Sequence, residues 1–284
     1  SHEPHPANAL ANLYPDLKWP RREVTVISAA KEVILSAGSF QSPGLLELSG
    51  IGNRAALTAA AVPKVISDLP GWLGIPQLVP GLHLHRRPPR SRASVRNLSN
   101  PIDAKKLAFL SDPKLTPLMS QLEIIFSDGY TGVKGYPAAN APLFGSEFFS
   151  LLAASVHPFG RGSVHMKSTN INTPPAIDSK YLQNPYDLHS MIVAAKFMRS
   201  IATAAPMSSV WTTEYEPGSA VATDADWEAY ARANTLSIYH SVGTCAMLPR
   251  KDGGVVDPKL RVYGVSRLRV VDASIIPIIP GAHI

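Results

Sequence analysis

At 284 residues, 45% hydrophobic and 17% charged, the chain has the composition of a packed globular protein, long enough for one large or two ordinary domains and too apolar for a disordered one. Its single cysteine, Cys245, excludes an intrachain disulfide and zinc-finger spacing, and no run of about 18 apolar residues marks a membrane-spanning helix. The net charge of +6 is local: Arg86, Arg87, Arg90, Arg92 and Arg96 crowd a stretch between Asp68 and Asp103 that holds no acidic residue, and the absence of interleaved aromatics argues against a nucleic-acid partner.

In chain order, residues 1–20 are rich in Pro and Asn and read as irregular. The start without methionine and the abrupt Pro/Gly-rich end read as those of a fragment. Residues 23–28 have the β-branched content of a strand, and residues 32–38 read as a fully buried strand of a parallel sheet that ends in small residues, Ser36, Ala37 and Gly38. Ser42 and Pro43 follow as an N-cap and first-turn pair for a helix that Gly50 stops. Strand, small-residue turn and helix start can cradle a phosphate, or form a plain structural βα turn. Residues 54–61 form a short Ala-rich helix. From Gly71 to about residue 96 no period of 2 or 3.6 organises the sequence, which predicts a loop or material foreign to the fold.

Residues 122–126 read as a strand. Residues 160–167 alternate as an antiparallel strand whose wet face carries His165 and Lys167. Asn184 and Pro185 cap and open a helix with Asp187 near its dipole, and Leu188, Met191, Ile192, Ala195 and Met198 form its core stripe. Asp224 or Asp226 opens another helix. It leads into the segment Tyr239-His240-Ser241-Val242-Gly243-Thr244-Cys245-Ala246-Met247, where a histidine in a glycine-broken loop suits proton transfer. Residues 260–263 read as a strand, and residues 268–271 as a buried strand ending at Asp272. Parallel-type strands at both ends with antiparallel material between them predict an α+β middle inserted into an α/β domain.

At this point the residues match a family. Gly38-Ser39-Phe40-Gln41-Ser42-Pro43-Gly44-Leu45-Leu46-Glu47-Leu48-Ser49-Gly50-Ile51-Gly52 closely resembles the second signature of the glucose–methanol–choline (GMC) oxidoreductases, flavoenzymes that oxidise alcohols. Residues 159–164, 177–182, 239–247, 256–265 and 268–277 resemble successive landmarks of that family's C-terminal half, in order. The resemblance covers about residues 23–70 and 105–284. It departs from the family in lacking the Gly-x-Gly-x-x-Gly fingerprint and in residues 71–100, where a basic, periodless insert replaces the family's run.

The resemblance implies an α/β Rossmann-like FAD-binding domain, incomplete here, combined with an α+β substrate domain built on an antiparallel sheet. Its expected boundaries are residues 1–70 for part of the FAD domain, 71–100 for the anomalous Arg/Pro-rich insert, 101–235 for the substrate domain and 236–284 for the return to the FAD domain. It implies FAD as cofactor, a small-molecule alcohol as substrate, and an electron acceptor, oxygen or a quinone, that the sequence does not identify. The family's catalytic base falls on His240 and its second active-site residue on His283; Ala37, Gly38, Asp272, Ala273, His283 and Ile284 fall on positions that contact the cofactor, and no metal is expected. Two other classes stay open: an inactive truncated or mispredicted product, and a basic module that binds polyanions.

Overall fold

A computed structural model of the chain describes residues 26–69, 77–80 and 121–281, with the single residue 108. The Arg86–Arg96 cluster, His283 and Ile284 therefore lie outside the described residues. Strand β1 (Val33–Leu35) pairs in parallel with β9 (Leu268–Val270), from the far end of the chain, with Val33 opposite Leu268 and Leu35 opposite Val270. Helix α1 (Gly38–Leu48) follows β1, and the short strands β2 (Ile51–Gly52) and β3 (Ser67–Asp68) flank helix α2 (Arg54–Ala59) in a second parallel pair. Leu35, Leu46, Ile51, Leu69, Cys245, Val256, Leu268 and Val270 bury one another beneath these elements. Burial of this apolar surface is what closes the two chain ends on each other.

Three strands form an antiparallel sheet in the order β4 (Gln77–Pro80), β6 (Phe149–Ser155), β5 (Leu122–Asp128). Central β6 is buried on both faces, as its run Leu151-Leu152-Ala153-Ala154 requires. On one face Leu151 and Ala153 pack with Met191, Ala194 and Met198 of helix α3 (Pro185–Thr203), and with Ala231 of helix α4 (Asp224–Asn234). On the other, Leu152 and Ala154 meet Ile125 and Ile238. Asn184 caps α3 through its side chain, and Thr223 with Asp226 forms a capping box on α4. Strands β7 (Ser163–His165) and β8 (Ala176–Asp178) form an antiparallel pair.

Several expectations are corrected. The helix does not begin at Ser42: its first residue is Gly38, and Pro43 lies inside it. Proline in a helix removes the N–H that would bond the carbonyl four residues back. Here that carbonyl, Ser39 O, accepts the Thr244 hydroxyl at 2.7 Å instead. Strand β1 is not fully buried, because Ile34 is 54% exposed where β9 is its one described neighbour and a face of the pair stays uncovered. Residues 26–28 of the expected first strand are irregular, with Val26 and Ile27 exposed and without a ladder partner. Residues 260–263 make only isolated bridges, Val262 to Val256 and Arg261 to Arg269. Gln77–Pro80, inside the stretch expected to be a loop, is an edge strand; its Pro80 is tolerated there because an edge strand has one unpaired side.

Candidate functional site

The C-terminal ends of β1 and β9 lie side by side, the place where an open parallel sheet meets its ligand. Beyond β1, Ala37 and Gly38 turn the chain into α1; beyond β9, Asp272 and Ala273 turn it into a short 3-10 turn, Ala273–Ile275. The Asp272 carboxylate joins the two turns. Its Oδ2 accepts the Gly38 N–H at 3.0 Å and the Ser42 hydroxyl, and its Oδ1 accepts the Ser274 N–H at 2.8 Å. Burial works against this charge, but the hydroxyl and backbone donors outweigh it and hold the carboxyl below the usual aspartate range. The helix start read as a possible phosphate cradle thus already holds an anion, the protein's own carboxylate, at its positive end.

The loop carrying His240 is fastened to the same turn. Ser39 Oγ donates to Ser241 O, Thr244 Oγ1 donates to Ser39 O, and the Cys245 and Met247 N–H groups donate to Ser274 O and Ile275 O at 2.8 Å. On its other side, Ile238 packs on the face of the antiparallel sheet turned away from α3. Half-buried His240 therefore sits in a span anchored to both sheets. Tyr239 between the anchors is 96% exposed and adopts φ 70°, a left-handed conformation that costs a non-glycine residue energy and persists only when its surroundings fix it. The structure thus brings Ala37, Gly38, Asp272 and Ala273 together with the flank of the His240 loop.

Sequence reasoning missed Ser39 and Thr244, which fasten the loop, and read Ser42 as a helix cap where it bonds Asp272. The signal available was weak: a proline in mid-helix spacing and hydroxyls on both segments. It also missed Glu47. This side chain is 5% exposed, yet its Oε1 lies 2.6 Å from His165 Nδ1 and its Oε2 accepts the Met166 N–H at 2.7 Å. His165, expected to face solvent, is instead tied to α1, and the hydrogen bond to Glu47 raises its pKa against the opposing effect of burial. The Cys245 thiol, wholly buried, is pushed up to about 12 by desolvation and is inert as a nucleophile.

Gly38 has φ 82°, and no heavy atom lies within 4 Å of the point where a Cβ would stand, so the space beside its backbone is open among the described residues. A flat or extended ligand can approach the main chain there. The residues present fit one wall of a dinucleotide site: strand ends, a bare backbone face, and a second turn beside it. Among the described residues no group of three or more His, Cys, Asp or Glu side chains could hold a metal ion.

Comparison with known proteins gives a consistent picture. Family models described as GMC oxidoreductase match residues 18–86 and 158–284. The first match runs to residue 86, so the family pattern extends into the stretch expected to be foreign. The chain is 32% identical over 297 aligned residues to the GMC oxidoreductase family protein Mala s 12 of Malassezia sympodialis, covering 91% of this chain and 47% of that protein. It is 31% identical to patulin synthase of Aspergillus clavatus, covering 90% and 47%. It thus spans about half the length of the curated relatives it matches. Among solved structures, pyridoxine 4-oxidase from Mesorbium loti superposes with a TM-score of 0.67 at 27% identity, covering 89% of this chain and 48% of that one. A fungal aryl-alcohol oxidase superposes at 0.65 and 26%, covering 92% and 53%. Two matched models in chain order, relatives at this identity and the shared fold leave one conclusion: the chain belongs to the GMC oxidoreductase family of FAD-dependent enzymes.

Proposed function

We propose that the chain supplies the catalytic loop and one wall of the flavin site of an enzyme that oxidises the CH–OH group of a small alcohol. The observation that supports this best is the fastening of the His240 loop to the Gly38 and Asp272 turns at the C-terminal ends of β1 and β9. When bound, FAD supplies the acceptor for hydride. In the proposed reaction His240 takes the proton of the substrate hydroxyl while the adjacent carbon gives up a hydride, leaving a carbonyl. Histidine suits this role because its ordinary pKa lies near working pH. His283 hydrogen-bonds the substrate oxygen as negative charge grows on it. The Ala37–Gly38 and Asp272–Ala273 backbones, with Ile284, line the cofactor, and Asp272 positions both turns. The relatives named as oxidases, among them glucose oxidase 1 of Penicillium expansum, favour oxygen as the final electron acceptor.

A second reading has its own observation. Ile34, Phe40 and Val271 are 54%, 38% and 42% exposed beside β1 and β9, surface that a parallel sheet ordinarily covers on both faces. On this reading the chain alone does not bind the flavin. The two readings separate by titrating FAD into the chain, following flavin absorbance, and then adding an aryl or aliphatic alcohol without oxygen. Stoichiometric binding with alcohol-dependent bleaching supports the first; no binding supports the second. If FAD binds, His240→Ala slows bleaching by about 10²- to 10⁴-fold. An unchanged rate would show that another group is the base.

A further inference from the structure

Away from the His240 loop, at the edge of the antiparallel sheet, lies a cavity of about 230 Å³. It opens between the end of β6, the segment 210–216 and Tyr230 of α4, and none of its lining residues comes from residues 239–247 or 272–273. Among the described residues three carboxylates line it, Glu147, Glu214 and Glu216, and no lysine, arginine or histidine does. Their situations differ. Glu147 is exposed to solvent. Glu214 is neutralised by a two-pronged pairing with Arg199, whose Nε reaches Glu214 Oε2 at 2.9 Å and whose second guanidinium nitrogen reaches Oε1. Among the described residues the hydrogen bonds to Glu216 come from neutral donors. Its Oε2 accepts the Tyr130 hydroxyl and the Lys134 backbone N–H at 3.3 Å, and its Oε1 accepts the Tyr230 hydroxyl at 3.1 Å.

Neutral donors satisfy the lone pairs of a carboxylate without supplying a counter-charge, and a negative charge attracts a cation more strongly in a cavity than in open water. Both phenols that donate to it are held firmly protonated, first by their own burial and then by Glu216. The walls suit an organic cation rather than a bare metal ion. The rings of Tyr130, Phe148 and Tyr215 cluster with centroids 5.2–5.9 Å apart. The Lys134 ammonium lies 4.1 Å from the Tyr215 ring centroid, so the protein's own cation already uses this aromatic surface. The Gly132 backbone passes close to the carboxylate: a Cβ there would stand 2.1 Å from Glu216 Oε2, so any larger residue would have to displace the Glu216 or Tyr130 side chain. The volume falls below the roughly 300 Å³ at which drug-sized pockets begin, which limits the ligand to a few heavy atoms.

We propose that this cavity binds a small alkylammonium cation, held by the Glu216 carboxylate and the faces of the Tyr130, Phe148 and Tyr215 rings. Glu216 Oε2 already accepts two hydrogen bonds, so a methylated ammonium, which needs few acceptors, fits better than a polyamine.

The test uses the whole chain and tetramethylammonium chloride as probe, with tert-butyl alcohol as the neutral molecule of similar shape. Saturation transfer from protein to the N-methyl protons, titrated to saturation at fixed ionic strength, gives the affinity. The expected result is saturable binding of the cation and none of the alcohol at equal concentration. Affinity should weaken about ten-fold in Glu216→Gln, which keeps the shape and removes the charge, and by a similar factor in Tyr215→Leu, which removes a ring face. Equal binding of the alcohol, no saturable binding of the cation, or undiminished affinity in Glu216→Gln would overturn the proposal. Should Glu216→Gln fail to fold by circular dichroism, undiminished affinity in Tyr215→Leu would overturn it alone.

Discussion

Replacing Asp272 by Asn removes one charge and changes nothing else in size. Asp272 accepts three hydrogen bonds, from Gly38 N, Ser42 Oγ and Ser274 N. An asparagine that keeps its carbonyl toward Ser274 N presents an NH2 group to Gly38 N–H, a donor facing a donor. The Ser42 hydroxyl can turn and accept from that NH2, though Ser42 Oγ also accepts the Ala37 N–H at 3.0 Å. One bond is therefore lost outright, one reverses direction, and both that survive are neutral. A hydrogen bond to a charged group contributes about 1.5–3 kcal/mol, and the half-buried setting of Asp272 calls for the lower part of that range because solvent screens the charge. Adding the weakening of the surviving bonds gives a loss of about 2 kcal/mol, or a fall in Tm of about 3–4 °C for a chain of this size. Urea unfolding followed by tryptophan fluorescence measures it, with the slope of the transition checked for constancy.

The pH dependence follows from the same geometry. Because the carboxyl's pKa is lowered in the folded protein, its contribution is present above the unfolded aspartate value of about 3.9 and disappears as pH falls through the folded value. The variant should thus differ from the parent at pH 6–7 and converge with it on acidification. A loss below about 0.5 kcal/mol at neutral pH, or a difference that persists in acid, would refute the idea that Asp272 clamps the two turns through its charge.

Two further substitutions test neighbouring contacts. Gly50→Ala places a methyl 2.2 Å from the Lys64 carbonyl oxygen at φ 77°, so a loss of about 2 kcal/mol or more is expected from urea midpoints, and a loss under about 1 kcal/mol would mean that the turn relaxes freely. His165 has its pKa raised by Glu47, so its contribution is complete below about pH 6.5 and is lost as pH rises through the folded value; the urea midpoint of the parent should fall across that range while His165→Gln stays flatter, and parallel profiles would contradict the pairing.

The elements legible in the sequence are those whose stabilising contacts are local. The cap Asn184 acts within two residues of itself, and Gly50 ends its helix by its own φ, whereas the helix read as opening at Asp224 or Asp226 takes its cap from Thr223 just before them. The Met191 and Met198 stripe is likewise a property of one helix, and it is buried as expected. What the sequence hid depends on distant partners. Asp187, which reads as a dipole-compensating acid, is fully buried and accepts the N–H groups of Phe159 and Gly160 at 2.8 and 2.6 Å. His165 alternates onto a nominally wet face, yet Glu47 from α1 comes to meet it. Ser42 and Pro43 make a convincing helix start in isolation. The helix instead starts five residues earlier, capped at Ala37, where the carboxylate of Asp272 reaches Gly38 from the other end of the chain. The candidate site was visible as two segments and a family likeness; the hydroxyls joining them carry no periodicity that would betray them.

The placement of His240 rests on a chain of causes that begins with a missing hydrogen. Pro43 has no N–H, which leaves the Ser39 carbonyl without its helical donor, and the Thr244 hydroxyl takes that place. One residue supplies both halves of the clasp, because the Ser39 hydroxyl in turn donates to Ser241 O. These bonds are buried, so breaking either leaves polar groups without water to replace the partner, and the clasp is stiffer than its length suggests. The opposite anchor is apolar: Ile238 on Leu152 and Ala154 resists sliding but sets no direction. Between the two, Tyr239 takes up the change of course in a left-handed conformation. The backbone around His240 is thus fixed on one side by directional bonds and on the other by packing. In this fold the course of the loop that carries His240 is set by the helix start it borders, and the catalytic role proposed for His240 would depend on Pro43 and Ser39 as much as on the imidazole.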